Sequence, residues 1–138
     1  MRLTLTESLL ARLREDRAAT PYTDDIMESE DAFVLYPGMG SAIYLTSDGR
    51  VLIDERDWKG EPVREATDDE ACTGLVLCAD AGGISELLDL LPTRPAHSSE
   101  CFDCRGQRYL DITLPSGKHI RPICGRCWGR GWIPLELN

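Results

Sequence analysis

Long hydrophobic runs are absent from this sequence of 138 residues. The two longest, Ala32 to Tyr36 and Leu75 to Ala79, span five residues each, whereas a helix that crosses a bilayer needs roughly 20 apolar residues. The sequence therefore predicts no transmembrane helix. Acidic side chains at Glu7 and Glu15 interrupt the leucines near the N-terminus, so a cleaved secretory signal is not expected and we expect a cytoplasmic protein.

Histidine is scarce as well, because the chain has only His97 and His119. A nucleophilic cysteine needs a base beside it, and neither histidine belongs to a pattern typical of a Cys-His catalytic pair. The glycines of the segment Pro37 to Gly40 lack the Gly-x-Gly-x-x-Gly spacing of a dinucleotide site, so we expect a hairpin loop there. No catalytic residue is predicted, and we expect a protein that is not an enzyme.

Acidic side chains are abundant but unevenly distributed. The chain has 24 Asp and Glu against 15 Lys and Arg, for a formal net charge of −9. Residues 1–100 hold 21 acidic and 9 basic side chains, whereas residues 101–138 hold 3 and 6. A linker-like stretch from Thr93 to Glu100 lies between these regions. We therefore predict an acidic α+β domain over residues 1–97 and a smaller module over residues 98–138.

The N-terminal domain is predicted to begin with a helix. Thr4 and Glu7 form a Thr-x-x-Glu capping box, leucines at helical spacing follow, and the helix is expected to end near Ala19. The acidic stretch Asp24 to Asp31 then predicts a solvated connection.

A small antiparallel sheet is expected next. Three short runs are rich in β-branched and aromatic residues, namely Ala32 to Tyr36, Ala42 to Thr46 and Arg50 to Asp54. The turn Ser47-Asp48-Gly49 joins the last two, which predicts a meander. Residues 57–66 are predicted to form a loop.

Two more helices are predicted before the linker. Thr67 and Glu70 form a second capping box ahead of apolar residues at helical spacing, with a strand over Leu75 to Ala79 as the alternative. Ile84 to Leu91 predicts a short amphipathic helix, which Pro92 ends.

Six cysteines are present, and four of them form two Cys-x-x-Cys pairs: Cys101 with Cys104, and Cys124 with Cys127. In a cytoplasmic chain such pairs indicate metal binding, because each pair places two thiolates on one side of a tetrahedral Zn²⁺ ion. The 19 residues between Cys104 and Cys124 contain two strand-like runs around a Ser-Gly turn. The spacing therefore predicts a zinc ribbon with one structural zinc ion per chain.

The residues around these cysteines resemble a known repeat. Cys124-Gly-Arg-Cys127-Trp-Gly129-Arg-Gly131 is similar to the Cys-x-x-Cys-x-Gly-x-Gly repeat of the zinc modules in DnaJ-type chaperones, and the segment Cys101 to Arg108 matches all but the final glycine. In that family four repeats bind two zinc ions, so two repeats imply one ion here. Neither histidine begins a His-Pro-Asp motif, so the resemblance implies metal ligation and no J domain.

The charge of the C-terminal module bears on its partner. Four thiolates and one Zn²⁺ together carry about −2, so the basic excess of residues 101–138 falls to about +1 and the case for nucleic-acid binding weakens. Trp128, Trp132, Arg126 and Arg130 are residue types enriched at binding hot spots, and we predict that they contribute to a partner surface.

Three functional interpretations remain at this point. The first is a protein-binding or adaptor module with structural zinc, and the second is a nucleic-acid-binding ribbon. The third is a thiol-disulfide redox protein, which the glycines Gly129 and Gly131 disfavour because a redox pair needs a helix after its first cysteine. Cys72 and Cys78 are interpreted as core residues.

Overall fold

A computed structural model describes residues 2–38 and 40–135 and shows two compact units, Met1–Leu90 (unit 1) and Leu91–Asn138 (unit 2). Helices accompany a small antiparallel sheet, and the C-terminal region carries a cysteine cluster, so the predicted α+β class is confirmed. Among the described residues, no helix has the length and apolar character needed to cross a bilayer.

Unit 1 is built on a four-stranded sheet in the order β1-β2-β3-β4, with every neighbouring pair antiparallel. The predicted meander is confirmed, and a fourth strand extends it. The elements of unit 1 are α1 (Glu7–Ala19), α2 (Asp25–Ser29), β1 (Ala32–Pro37), β2 (Ala42–Thr46), β3 (Val51–Asp54), α3 (Arg56–Lys59), β4 (Arg64–Glu65), α4 (Asp68–Ala81) and a 3-10 helix (Ser85–Leu90). Met39, in the predicted hairpin loop, lies outside the described residues.

Helix α1 begins later than its capping box predicts. Its N-cap is Thr6, whose hydroxyl oxygen accepts a hydrogen bond from the Leu9 amide at 3.1 Å, so the prediction of a cap at Thr4 was wrong. The preceding segment is held elsewhere, because the Leu3 amide donates to the Gly49 carbonyl at 2.7 Å. This bond ties the N-terminal segment to the turn between β2 and β3 and delays the start of the helix.

The acidic stretch Asp24 to Asp31 is not the loop that its charge suggested. It contains α2, whose N-cap Asp24 accepts a hydrogen bond from the Met27 amide at 2.8 Å. Ile26 and Met27 are buried in an apolar cluster on the sheet with Ala32, Tyr44 and Leu52. The apolar pair therefore makes this stretch a cover for one face of the sheet.

Helix α4 packs closely on the sheet. The capping box of Thr67 and Glu70 is confirmed, and the alternative of a strand over Leu75 to Ala79 is excluded. A Cβ atom at Gly74 would lie 2.9 Å from a methyl carbon of Ile43, so glycine permits the close approach of helix and strand.

Two predictions about connections also need correction. Residues 57–66, expected as a loop, contain most of α3 and all of β4. The expected amphipathic helix over Ile84 to Leu91 is a 3-10 helix, and its fully buried residue is Leu87.

Unit 2 consists of four short strands around the cysteines, β5 (Ser98–Glu100), β6 (Ile112–Thr113), β7 (His119–Ile120) and β8 (Trp132–Pro134). β6 and β7 form the predicted hairpin, whose turn is closed by the Gly117 amide donating to the Leu114 carbonyl at 2.8 Å. β5 and β8 pair as a second two-stranded sheet, although residues 98–100 had been assigned to the linker.

Candidate metal centre

The four predicted cysteine ligands lie together in unit 2. Their sulfur atoms are all within 4.8 Å of one another, and all four residues are buried. The Cys101 and Cys124 sulfurs are 3.8 Å apart, and those of Cys104 and Cys127 are 3.7 Å apart. A tetrahedral ion bound at about 2.3 Å by four sulfurs needs sulfur pairs about 3.8 Å apart, and a disulfide needs about 2.05 Å. These distances therefore fit a metal ion.

The backbone after each cysteine pair turns in the same unusual way. The first, second and fourth residues after the second cysteine of each pair have positive φ, which residues other than glycine rarely adopt. In the first repeat these residues are Arg105, Gly106 and Arg108, and in the second they are Trp128, Gly129 and Gly131. The Cys-x-x-Cys-x-Gly-x-Gly pattern thus corresponds to one backbone conformation that occurs twice.

Backbone amides point at the sulfurs. The Gly131 amide donates to the Cys127 sulfur at 3.3 Å. Burial raises the pKa of the Cys127 thiol to about 12 and also raises that of Cys104. Burial acts in the same direction on Cys124, but amides of Cys127 and Arg126 donate to its sulfur and lower its pKa below the usual value. A bound divalent cation would stabilise the thiolate form in this buried cluster.

The two repeats are related by an approximate two-fold arrangement in which equivalent residues are 23 positions apart. The Cys101 amide donates to the Gly131 carbonyl at 3.0 Å, and the equivalent Cys124 amide donates to the Arg108 carbonyl, also at 3.0 Å. The pairing of Glu100 with Trp132 is likewise repeated by the bridge between Tyr109 and Ile123. The backbone of each repeat is therefore hydrogen-bonded to the backbone of the other. Each repeat contributes two of the four candidate cysteine ligands.

Arg108 replaces the last glycine of the first repeat and links the repeats through its side chain. Its Nη1 donates to the Gly129 carbonyl at 2.9 Å and to the Arg130 carbonyl at 3.2 Å. The sequence identified position 108 only as a departure from the repeat. That an arginine here contacts the opposite repeat could be recognised only in three dimensions.

The residues predicted to form a partner surface are placed differently from one another. Trp128 is 39% exposed, and Arg130 lies over the ring of Trp132 at 4.8 Å. Arg126 donates to Asp103 at 2.8 Å and lies over the ring of Phe102 at 4.3 Å. Phe102 was not among the predicted surface residues, yet it is 62% exposed. The partner surface itself stays a prediction.

The two remaining cysteines lie in unit 1, outside this centre. Cys72 and Cys78 are buried in α4, and Cys78 borders an apolar cavity of about 160 Å³. Burial and the negative charge of Asp16 raise the pKa of the Cys78 thiol to about 11, which makes it a poor nucleophile. Within the described ranges, the four cysteines of unit 2 are the only group of three or more Cys, His, Asp or Glu residues placed to hold a metal ion.

The fold and the site define an α+β protein with a candidate four-cysteine metal centre in its C-terminal region. No protein family, no curated protein and no solved structure matches the chain. The likeness to the DnaJ-type repeats is therefore a likeness of motif, supported here by the clustering of the four cysteines.

Proposed function

We propose that unit 2 binds one Zn²⁺ ion through Cys101, Cys104, Cys124 and Cys127, and that the ion is structural. The observation that carries this proposal is the clustering of the four sulfurs within 4.8 Å of one another, with two separations, 3.8 and 3.7 Å, that match the edge of a tetrahedral four-sulfur site. Four protein ligands complete the coordination of zinc and leave no open position for substrate, so we infer that the protein is not an enzyme.

The composition of the unit 2 core supports a structural role. Among the residues that the structure describes, its buried cluster consists of the four cysteines, against which Leu110 and Ile133 pack as partly buried hydrophobic residues. So small an apolar cluster contributes little hydrophobic stabilisation. Metal ligation of small domains contributes about 10 to 16 kcal/mol in zinc-finger peptides, which is ample to fold a unit of this kind.

Metal analysis of the full chain, purified under reducing conditions, tests the zinc proposal. We expect about one zinc ion per chain, and loss of bound zinc in Cys101→Ser or Cys124→Ser. Cys72→Ala is the matched control, because Cys72 lies in unit 1 and its variant should keep the ion. A wild-type chain without metal would contradict the proposal. Tetrahedral sulfur ligands also suit iron, so a coloured protein that contains iron would contradict the identity of the metal.

We further propose that the metal-stabilised unit binds a protein partner. Support comes from two exposed aromatic side chains held beside the cysteines, Phe102 and Trp128. Exposed aromatic residues on a rigid backbone are typical anchors of protein interfaces. Nucleic-acid binding is less well supported, because four arginines of unit 2 are engaged within it: Arg108, Arg121, Arg126 and Arg130.

Affinity capture with full-length chains tests the interaction. We expect the wild-type chain to retain a protein that Trp128→Ala loses, while the zinc content of this variant stays at one ion. Tyr22→Ala is the control, since Tyr22 is also an exposed aromatic residue but belongs to unit 1. Retention of the same proteins by all three chains would contradict the proposed surface. Binding to generic RNA or DNA that falls steeply with added salt would instead favour the nucleic-acid interpretation.

A further inference from the structure

The side chain of Arg126 forms an ion pair that connects the two Cys-x-x-Cys pairs. It lies inside the second Cys-x-x-Cys pair, and its Nε donates to the Asp103 carboxylate, which lies inside the first pair, at 2.8 Å. The two residues are 23 positions apart, so they occupy equivalent positions of the two repeats. Their ion pair therefore joins the two cysteine loops across the approximate two-fold arrangement.

The ring of Phe102 makes a second contact with Arg126. The guanidinium carbon of Arg126 is 4.3 Å from the centre of the Phe102 ring, within the range of a cation–π contact. The flat guanidinium is thus held by a ring on one side and by a carboxylate at its Nε. Only Nε takes part in the bond to Asp103, so the four N–H donors of the two Nη atoms are not used by it.

The charge of the centre explains what this arginine can do. Four thiolates and a divalent ion leave a net charge of about −2 in a buried site. Arg126 lies between Cys124 and Cys127 in the sequence, and its side chain contacts Asp103, which lies between Cys101 and Cys104. Its permanent positive charge therefore lies beside both cysteine pairs.

We propose that Arg126 is a positioning residue of the metal centre, a fixed counter-ion that Asp103 and Phe102 hold beside the thiolates and that slows loss of the bound metal. The inference rests on the proposed zinc site. It assigns Arg126 a role inside unit 2, in contrast to the partner surface predicted from the sequence. Residues that orient or neutralise metal ligands typically change metal affinity by about 10- to 100-fold when they are replaced.

A matched arginine is available in the same unit. Arg121 lies 5.7 Å from the ring of Tyr109 and 3.4 Å from the Asp111 carboxylate, so it too combines an aromatic contact with an ion pair. Unlike Arg126, it lies outside both Cys-x-x-Cys pairs. Arg121→Ala therefore removes similar contacts without removing the charge placed between the cysteines.

The experiment measures transfer of zinc from the full-length, zinc-loaded chain to a colour-forming chelator in excess. We expect Arg126→Ala to lose zinc about 10-fold faster than wild type, and Arg121→Ala to stay within about twofold. Arg126→Lys, which keeps the charge but not the planar contact, should fall between them. At about 1 M salt the difference between Arg126→Ala and wild type should shrink, because salt screens an exposed charge.

Thermal unfolding of the same proteins separates this role from a general loss of stability. The ion pair is about half exposed, so its removal should leave the melting temperature of the zinc-loaded chain almost unchanged. Equal release rates for Arg126→Ala and Arg121→Ala would overturn the inference, as would a salt-independent difference that follows the melting temperature. A wild-type chain that binds no metal would refute the zinc site first, which is a distinct result.

Discussion

Arg108 Nη1 donates to the Gly129 carbonyl at 2.9 Å, so a side chain of the first cysteine repeat binds the backbone of the second. Arg108 itself has a φ of 71°, and the equivalent Gly131 has a φ of 87°. The first repeat thus keeps the left-handed conformation without the glycine. Its arginine accepts backbone strain of about 1 kcal/mol and gains hydrogen bonds to the opposite repeat.

Replacement of Arg108 should separate these two contributions. We expect Arg108→Ala to destabilise metal-loaded unit 2 by about 2 kcal/mol, because it keeps the strain and loses both hydrogen bonds. Arg108→Gly should be less destabilising, since glycine adopts positive φ freely. Chelator titrations of the two variants and wild type measure the order. Equal losses for both variants would show that backbone strain at this position is unimportant.

Gly131 should tolerate substitution much less well than Gly125. A Cβ atom at Gly131 would lie 3.1 Å from the Gly106 carbonyl oxygen, in addition to the cost of a positive φ. Nothing lies within 4 Å of the corresponding point at Gly125. We expect Gly131→Ala to weaken zinc retention by at least about 10-fold and Gly125→Ala to have little effect, as measured by metal content after dialysis against a chelator. Similar behaviour of the two variants would contradict the described turn.

Two threonines near the N-terminus should differ in their contribution to stability. Thr6→Ala removes the cap of α1 and should lower the free energy of unfolding by about 1 kcal/mol. Thr4→Ala should change it by less than about 0.5 kcal/mol, because Thr4 is exposed and lies outside the helix. Urea unfolding followed by far-ultraviolet circular dichroism measures both values. A larger effect at Thr4 than at Thr6 would contradict the N-cap at Thr6 and favour the one predicted from the sequence.

Acid should remove a contribution that Glu70 makes to unit 1. Two hydrogen bonds of 2.8 Å from Arg64 lower the pKa of Glu70 to about 2. A folded-state pKa below the unfolded value means that the stabilisation is present above about pH 4.5 and is lost as the pH falls towards 2. We expect Glu70→Gln to cost about 1 to 2 kcal/mol at pH 7 and clearly less near pH 2.5, where part of the stabilisation has been lost.

The same denaturation experiment, read from the helical signal of unit 1, checks this pH dependence. Glu61→Gln serves as the control, because Glu61 is exposed in the connection between α3 and β4 and should leave stability unchanged at both pH values. A constant difference between Glu70→Gln and wild type across the acid range would show that the ion pair with Arg64 does not set the pKa.

The cysteine cluster was predictable because metal ligands are encoded locally. Two Cys-x-x-Cys pairs with glycines behind them specify two backbone turns, and a hairpin of suitable length brings the pairs together. The capping box at Thr67 was predictable for the same reason, since Glu70 lies three residues away.

Features that depend on distant residues were not predictable in this way. Helix α2 forms in an acidic stretch because Ile26 and Met27 find a sheet face to cover, and that face is assembled from other segments. Strand β5 contains only Ser98, Ser99 and Glu100, which show no hydrophobic alternation, and it becomes a strand by pairing with β8. Tertiary partners decide such elements, so local propensity alone cannot.

The pairing of β5 with β8 also brings the two ends of residues 97–135 together. Ser98 lies opposite Pro134, and the Leu135 amide donates to the His97 carbonyl at 3.0 Å, so the two ends of residues 97–135 lie side by side. A unit whose ends adjoin can be spliced into a surface loop of another protein without stretching its host. Residues 97–135 thus have the closely spaced ends that insertion into a loop of a host protein requires.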